Sequence, residues 1–239
     1  MRLSRPFTDD VRITALAVMG AVQFSEEGFP LKVHREHPDW DLPLSPYYVN
    51  LRLVPEGPLT TEQARLFGQD LGWLFYVTQV YTRQFPDRFQ IVGVPNTGKP
   101  LAEGFAHIWP EPDKIRLLEM LKEGEGKGKI ARVLNGNPDR DLPIVMVDDV
   151  VTKGGSKLEA LGILESMGYK VPICTIVVDR EQGSKEELAG HGIELVSATT
   201  FSDVLGECRN LGLIAPEMYM RSIEYPSALD AAIAAKQTT

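Results

Sequence analysis

The chain has 239 residues, of which 43 % are hydrophobic and 24 % are charged, and its formal net charge is −8. This composition is typical of a globular protein with a sizeable core, and the acidic balance argues against a general nucleic-acid binder. No apolar run approaches the roughly 18 residues that span a bilayer, and the amino-terminal stretch lacks a signal peptide's apolar middle. Two cysteines are too few for a disulfide framework, so we expect a cytoplasmic enzyme.

The first sixty residues are predicted to form a small amino-terminal unit. Thr8, Asp9 and Asp10 are capping residues before apolar positions at near-helical spacing over residues 11–22, which predicts a helix there. Two short strands are expected over residues 29–33 and 47–54. The polar, proline-containing stretch between them is predicted to be a loop.

From residue 60 onwards the pattern alternates between helix and strand. A long amphipathic helix is expected over residues 60–84, opened by Thr60 or Thr61. The glycine-rich, charged stretch 122–129 is expected to be exposed. The other predicted elements are strands at 89–94, 144–147, 171–178 and 193–197, and helices near 101–105, 157–167, 184–189 and 202–211. This alternation predicts an α/β fold, with a mostly parallel sheet covered on both faces and ligands at the carboxyl ends of its strands.

The stretch MVDDVVTKGGSK, residues 146–157, combines features that suit a phosphorylated sugar. Backbone N–H groups from Thr152 to Ser156 can converge on a phosphate, and the following helix adds the positive end of its dipole. The carboxylates of Asp148 and Asp149 suit sugar hydroxyls or a developing positive charge. The alternative interpretation is an acidic strand end followed by a glycine turn and a helix cap, which the ordered combination of features disfavours.

This stretch resembles the phosphoribosyl pyrophosphate (PRPP) signature of type I phosphoribosyltransferases, and it is closest to the orotate phosphoribosyltransferase form. Further segments are similar to that family, in the same order. Two segments of this chain resemble the family's amino-terminal hood: GAVQFSEEGFPLK and SPYYVNLR, with VHREHPDWDLPL inserted between them. A third, VGVPNTGKPLA, resembles the family's pyrophosphate-binding loop. A fourth, VVDREQGSKEEL, resembles the family segment whose arginine binds the orotate carboxylate. The resemblance covers roughly residues 20–205.

The resemblance implies the type I phosphoribosyltransferase fold, a central parallel sheet flanked by helices with a small hood. It divides the chain into an amino-terminal helix and hood (1–60), a PRPP-binding α/β core (61–215) and a carboxy-terminal extension (216–239). The implied reaction transfers ribose 5-phosphate from PRPP to orotate, giving orotidine 5'-monophosphate and pyrophosphate in pyrimidine nucleotide biosynthesis. Mg²⁺ would be carried in by PRPP without direct protein ligands. A homodimer is implied, and no nucleic-acid or membrane partner is expected.

Carried over position by position, the resemblance assigns residues to three tasks. Asp148 and Asp149 would contact the ribose hydroxyls and stabilise the developing charge, and Lys122 and Lys127 would serve catalysis from the loop. The residues implied for PRPP are Thr97, Gly98, Lys99, Val151, Thr152, Lys153, Gly154, Gly155 and Ser156. The residues implied for the base region are Lys32, Tyr47, Tyr48 and Arg180, with Arg180 matching the planar orotate carboxylate bidentately.

The loop over residues 116–128 departs from the family pattern. Glu123 stands where a histidine is expected, and apolar residues occupy the earlier basic positions, with Arg116 and Lys122 each one place out of register. Thr97 stands where a lysine is common. Lost cations weaken stabilisation of the leaving pyrophosphate by roughly a few kcal/mol, although Lys122, Lys127 and Lys129 would substitute because a flexible loop tolerates register changes. Two alternatives therefore stay open: a phosphoribosyltransferase for another base, and a PRPP-sensing binding protein with lapsed catalysis.

The segment HREHPDWD brings His34, His37, Asp39 and Asp41 together, which is a possible metal cluster. A solvated loop is favoured, because the segment is polar, lies beside prolines and has no other cysteine or histidine nearby.

Some residues also have purely structural interpretations. For Arg180, at the end of an apolar run, the alternative is an ion pair with Asp179. Lys32 is a solvent-facing charge in the alternative view, which its neighbours GFPLK and SPYYVNLR outweigh. Tyr47 and Tyr48 alternate along a predicted strand, so only one is expected to face the site. The segment ALDAAIAAK is expected to form a frayed terminal helix.

Overall fold

The computed structural model describes residues 5–81, 85–122, 130–152 and 155–237. Its elements in chain order are α1 (Asp9–Val18), β1 (Val22–Phe29), α2 (Lys32–Glu36), β2 (Ser45–Val49), α3 (Thr61–Phe75), β3 (Phe89–Gly93), α4 (Gly98–His107), β4 (Ile115–Lys122), β5 (Ile130–Asn135), β6 (Ile144–Val151), α5 (Gly155–Ser166), β7 (Ile173–Asp179), α6 (Ser184–Gly190), β8 (Glu194–Thr200), α7 (Phe201–Asn210) and α8 (Pro216–Gln237). None of the helices in these ranges has the length and apolar character that crossing a membrane requires.

The described residues fall into two compact units. Residues 1–10 and 51–201 make up the core unit, and residues 11–50 and 202–239 make up the hood unit. These units group the hood with residues 202–239. The three-part division expected from the sequence stays a prediction.

The core unit is built on a six-stranded sheet in the order β5-β4-β3-β6-β7-β8. All neighbouring strands run parallel except β4 and β5, which are antiparallel. The central strands β3, β6 and β7 are almost wholly buried apolar segments, as expected for a sheet with both faces covered. The predicted α/β fold with a mostly parallel sheet is confirmed.

Helices α3 and α4 pack unusually closely because glycines line their contact. A Cβ atom at Gly68 would lie 2.0 Å from the carbonyl oxygen of Leu101, and one at Gly104 would lie 2.0 Å from that of Arg65. Only glycine allows two helix backbones to approach so closely. The helix α3 begins at a capping box, in which Thr60 Oγ1 accepts from the Gln63 N–H at 3.2 Å. This packing fixes α4, whose first residue is the predicted ligand Gly98.

Several elements differ from those predicted, and the helix expected over 11–22 and the strand expected over 47–54 correspond to α1 (Asp9–Val18) and β2 (Ser45–Val49). The strand expected over residues 29–33 is wrong, because β1 ends at Phe29 and α2 begins at Lys32. The helix expected over 60–84 ends as an α-helix at Phe75 and continues as a π-helical turn to Val80, and residues 82–84 lie outside the described residues. Strands β4 and β5 were not predicted. The stretch expected to be exposed, 122–129, lies outside the described residues except for the backbone of Lys122.

In the hood unit, β1 and β2 form an antiparallel pair on which α8 packs. The ring of Tyr47 meets that of Tyr225 edge-on, with centroids 6.0 Å apart. Arg221 donates to a Glu26 carboxylate oxygen at 2.9 Å. The expected short terminal helix is therefore the end of a 22-residue helix that packs against the hood strands.

Candidate active site

The two predicted acids lie inside strand β6, not after it. The strand was expected to end at residue 147, but it pairs with β7 as far as Val151, opposite Asp179. Successive side chains of a strand alternate between its two faces, so Asp148 and Asp149 do not share one environment. Asp148 is buried, whereas Asp149 is half-buried.

Both carboxylate oxygens of Asp148 have partners. Its Oδ2 lies 2.5 Å from Nζ of Lys157, and its Oδ1 accepts from the backbone N–H of Asp149 at 2.9 Å. Lys157 also donates to the carbonyl oxygen of Val150. The side chain of Lys157 is only 6 % exposed. The first turn of α5 is therefore attached to the carboxyl end of β6 by a buried ion pair.

Burial governs the protonation of this pair. Burial, with a smaller contribution from the charge of Asp149, raises the pKa of Asp148 to about 7 against the opposing attraction of Lys157. For Lys157, burial lowers the pKa, but the attraction of Asp148 and Asp149 outweighs burial, so the net direction is upward. The ammonium thus stays charged at neutral pH, whereas Asp148 takes up a proton as the pH falls below about 7.

Asp149 is the acid that stays available to a ligand. Its Oδ1 accepts from the backbone N–H of Val150 at 2.7 Å. Across the described ranges 5–81, 85–122, 130–152 and 155–237, its Oδ2 has no hydrogen-bond partner. A half-buried carboxylate with a free oxygen can accept hydrogen bonds from a vicinal diol.

The predicted phosphate loop joins β6 to α5 over three residues. Val151 is fully buried, and its carbonyl oxygen accepts from the Arg180 N–H at 3.1 Å, so the last residue of β6 is anchored to β7. Thr152 follows, half-buried, and α5 begins at Gly155. Lys153 and Gly154 lie outside the described residues, as do the side chains at 155 and 156. The binding assignments of Val151, Thr152, Lys153, Gly154, Gly155 and Ser156 stay predictions.

The predicted pyrophosphate loop is a tight turn that packs against β6. A Cβ atom at Gly93 would lie 2.1 Å from the carbonyl oxygen of Gly98, and one at Gly98 would lie 2.7 Å from that of Val147. The N–H of Val94 also donates to the Val147 carbonyl oxygen at 2.9 Å. The peptide between Pro95 and Asn96 is cis. These contacts place the amino terminus of α4 beside the strand that carries the two acids.

The two side chains that follow this turn differ in exposure. Thr97 is buried at the start of α4, whereas Lys99 is exposed and forms an ion pair with Glu119 of β4. The hydrogen bond to Glu119 raises the pKa of Lys99. A cavity of about 290 Å³ lies at this point, and its charged lining residues are Lys99, Glu103 and Glu119. An anion that enters here must compete with Glu119 for the Lys99 ammonium.

The out-of-register cation Arg116 has a structural task elsewhere. Its Nη1 lies 3.2 Å from a carboxylate oxygen of Asp139 and donates to the carbonyl oxygen of Asn137 at 3.1 Å. The residue stands near the start of β4, opposite Gln90, whereas the predicted site lies at the carboxyl ends of the strands. Of the two predicted loop cations, Lys127 lies outside the described residues, and for Lys122 only the backbone is described.

Arg180 follows β7 directly and is buried. The Oδ1 atom of its neighbour Asp179 accepts from the backbone N–H of Glu181 at 2.9 Å and from the hydroxyl of Ser184 at 2.8 Å. These contacts hold the start of α6, so the Asp179 carboxylate organises the turn after β7. The recorded contacts thus assign Asp179 to this turn, which does not support the alternative ion pair with Arg180.

The predicted base-region residues of the hood unit have different surroundings. Lys32 has a side chain 81 % exposed and pairs with Glu36 at 3.3 Å. Tyr47 is fully buried, whereas Tyr48 is half-buried with its ring 6.0 Å from that of Phe29. The expectation that only one of the two tyrosines faces the site stays a prediction.

The similarities to known proteins bear on the family. No family model matches the sequence. The orotate phosphoribosyltransferase of Halobacterium salinarum is 31 % identical over 198 residues, which are 83 % of this chain and 97 % of that protein. The chain belongs to the orotate phosphoribosyltransferase family.

Solved structures agree with this family and with the fold. The orotate phosphoribosyltransferase from Aeropyrum pernix is 26 % identical and has a TM-score of 0.57, over 85 % of this chain and 99 % of that one. The UMP synthase of Leishmania donovani shares the fold with a TM-score of 0.69 at 21 % identity, over 93 % of this chain and 43 % of that one. The resemblance based on the PRPP signature, the hood and VDREQG is therefore confirmed for family and fold.

Within this phosphoribosyltransferase fold, the sequence interpretation missed Lys157 and Glu119. Lys157 is the third residue of α5 and follows directly after the PRPP signature. A lysine at the start of a helix is usually solvent-exposed. The burial of this lysine can therefore be recognised only from its partner on the neighbouring strand. Glu119 was missed because β4 itself was not predicted.

The residues described by the structure contain no group of three or more potential metal ligands. Nδ1 of His34 accepts from the Leu31 N–H at 3.0 Å, and its Nε2 lies 3.2 Å from the carbonyl oxygen of Pro43. This histidine thus holds the hood insertion together, which argues against the metal interpretation of HREHPDWD. The entry of Mg²⁺ with PRPP stays a prediction, since Mg²⁺ usually keeps several waters and binds substrate phosphates.

Proposed function

We propose that this chain is an orotate phosphoribosyltransferase, which transfers ribose 5-phosphate from PRPP to orotate and releases pyrophosphate. The observation that carries the proposal is the arrangement around β6. An available carboxylate at Asp149 lies two residues before the end of β6, and three residues then connect β6 to the amino terminus of α5 at Gly155. Carboxylate and amide groups in this order fit the diol and the 5-phosphate of one ligand. Family membership supports orotate as the base.

The chemistry requires groups at three places. The bond from C1 of the ribose to pyrophosphate breaks, and its electron pair leaves on pyrophosphate while positive charge develops on the ribose. The orotate ring nitrogen then forms a bond to C1 and gives up its proton to pyrophosphate or water. Asp149 would bind the ribose hydroxyls, and its negative charge would stabilise the oxocarbenium-like state. Backbone N–H groups at the start of α5 would hold the 5-phosphate. Mg²⁺, bound to the oxygens of PRPP and to water, would supply positive charge toward the leaving group.

The leaving group and the base would be held by other parts of the chain. The turn at Gly98 and the side chain of Lys99 would receive pyrophosphate, together with the loop lysines Lys122 and Lys127. Arg180 would pair with the orotate carboxylate, because a guanidinium matches a planar carboxylate bidentately. Lys32, Tyr47 and Tyr48 stay proposals for the base region. A homodimer and a cytoplasmic location are proposed from the family alone.

A transferase assay tests this proposal. The protein is incubated with PRPP, orotate and Mg²⁺, and orotidine 5'-monophosphate and pyrophosphate are quantified. Equal amounts of both products are expected, with strongly reduced formation in Asp149→Asn. The control is Asp203→Asn, which removes an exposed carboxylate of α7 and should leave turnover unchanged. Wild-type protein that yields no orotidine 5'-monophosphate at high concentration would refute orotate as the substrate, and a panel of other bases would then decide whether another base is used.

A second candidate, a PRPP-sensing protein with lapsed catalysis, is favoured by one observation. Two cations that could have served the leaving group have other partners among the described residues: Lys99 pairs with Glu119, and Arg116 pairs with Asp139. Calorimetry separates the candidates, because a sensor binds PRPP tightly but converts no base. Measurable turnover of orotate excludes this second candidate.

A further inference from the structure

Lys157 is a buried ammonium at the point where the first turn of α5 meets the sheet. Taking an ammonium out of water costs several kcal/mol unless it is paired and hydrogen-bonded. Lys157 meets this requirement through two partners, the Asp148 carboxylate at 2.5 Å and the Val150 carbonyl oxygen. Both partners belong to β6, so the side chain reaches across from the helix to the strand and spans the loop between them.

The contacts of Lys157 flank the acid that stays available. Asp148 and Val150 are the neighbours of Asp149 in the strand, one on each side. Asp148 Oδ1 in turn accepts from the Asp149 N–H at 2.9 Å, so the ion pair extends to the backbone of Asp149. One lysine therefore fixes the position of Asp149 relative to the first turn of α5.

We propose that Lys157 is a positioning residue of the PRPP site, which sets the Asp149 carboxylate at a fixed separation from the phosphate-binding turn of α5. A ligand that carries both a diol and a phosphate binds more tightly when the protein holds its two contacting groups at the spacing of the diol and the phosphate in the sugar. The inference rests on the proposed function, because it takes Asp149 and the start of α5 as the two ends of the PRPP site.

The charges around Asp148 make the arrangement sensitive to pH. Among the residues that the structure describes, the titratable groups that face it are Asp149 from its own strand, Lys157 from α5 and the thiol of Cys174 from β7. Burial raises the pKa of Cys174 to about 12, so this thiol is neutral at working pH. Of the three, only Lys157 favours the ionised form of Asp148. Without Lys157, Asp148 is protonated at a higher pH than in the wild type. The hydrogen bond from the Asp149 N–H to the Asp148 carboxylate then changes.

The variant Lys157→Met keeps the length of the side chain and removes its charge. We expect the dissociation constant for PRPP, measured by calorimetry near pH 7.5, to rise roughly tenfold or more, because misplacement of a contacting group is costly. The pH below which PRPP affinity declines should move up by about one unit or more. Lys170→Met, which alters an exposed lysine before β7, is the matched control and should stay within about twofold of the wild type.

A purely structural lysine would lower the unfolding temperature of Lys157→Met but leave PRPP affinity and its pH dependence unchanged. That result, obtained well below the unfolding temperature, would overturn the proposal. If Lys157→Met does not fold, the double variant Asp148→Asn/Lys157→Met takes its place, because replacing both members of a buried pair avoids an isolated charge. The double variant should bind PRPP roughly tenfold or more weakly, and affinity equal to the wild type would likewise overturn the proposal.

A failure of this inference can be distinguished from a failure of the proposed function, because the test measures PRPP binding and not base transfer. Wild-type protein that binds PRPP but converts no orotate would refute the function and leave the Lys157 comparison intact. Wild-type turnover of orotate together with unchanged PRPP affinity in Lys157→Met would support the function and refute the inference.

Discussion

The ion pair between Lys99 and Glu119 gives the sharpest test of the leaving-group side of the site. Glu119→Gln keeps the shape of the side chain and removes its charge, so Lys99 loses its competing partner. If Lys99 receives pyrophosphate, this variant should bind PRPP more tightly than the wild type. This expectation is unusual, since most substitutions at a binding site weaken binding.

The exposure of the two side chains sets the magnitude. The side chain of Lys99 is 56 % exposed and that of Glu119 is 38 % exposed, so water screens their attraction. Exposed pairs of this kind contribute about 0.2 to 1 kcal/mol. Since about 1.4 kcal/mol corresponds to a tenfold change in affinity, releasing Lys99 should lower the KM for PRPP by about 1.5- to fivefold. The gain should shrink as ionic strength rises toward about 1 M, where screening acts over about 3 Å.

Steady-state assays with varied PRPP and saturating orotate measure this change. The control is Glu111→Gln, which removes the same charge from a comparable ion pair with Lys114 at 2.7 Å, before the start of β4. In a Lys99→Met background the gain from Glu119→Gln should vanish, because the two residues act through one contact. A KM for PRPP that is unchanged or raised in Glu119→Gln, or a gain that persists without Lys99, would show that Lys99 does not receive pyrophosphate.

Three further predictions follow from the geometry of the core unit. Gly93→Ala forces a Cβ atom to within 2.1 Å of the Gly98 carbonyl oxygen, so a loss of about 1 to 3 kcal/mol in the free energy of unfolding and a higher KM for PRPP are expected. Arg116→Ala should cost about 1 kcal/mol in denaturant unfolding and leave the KM for PRPP unchanged, and a raised KM would instead place this guanidinium at the pyrophosphate. Arg180→Met should raise the KM for orotate about 10- to 100-fold while PRPP affinity by calorimetry stays constant, and an unchanged KM would favour another base.

The parts of the site that could be predicted are those whose residues lie in one continuous stretch of the sequence. The order of strand, acids, glycines and helix over residues 144–166 is local, and the structure reproduces it with the strand four residues longer than expected. The glycines of the turn between β3 and α4 could likewise be identified in the sequence, but the contacts that require glycine there could not. Only the structure shows that Gly93 and Gly98 face each other and the Val147 carbonyl oxygen.

The parts that could not be predicted depend on pairing between distant segments. In the hood, the register between β1 and β2 shifts between Phe24 and Phe29, and α2 starts where the His34 ring accepts from the Leu31 N–H. A strand with such an irregularity lacks the regular alternation that identifies strands in a sequence. Strand β4 carries charged residues at several positions and pairs with an antiparallel edge strand, so its sequence lacks the continuous apolar run of β6 or β7.

Lys157 shows why the electrostatics of such a site are harder to predict than its motif. In the sequence it follows GGS near the start of a helix, a position in which lysine is normally solvated. Its burial is possible only because Asp148, nine residues earlier, offers a carboxylate whose own desolvation the ammonium offsets. Either residue alone would be too costly to bury, so neither has a signature of its own, and the pair exists only once β6 and α5 are packed. The two adjacent acids therefore have different surroundings in the fold: Asp148 anchors the helix, whereas Asp149 keeps an oxygen that the proposed function assigns to the ligand.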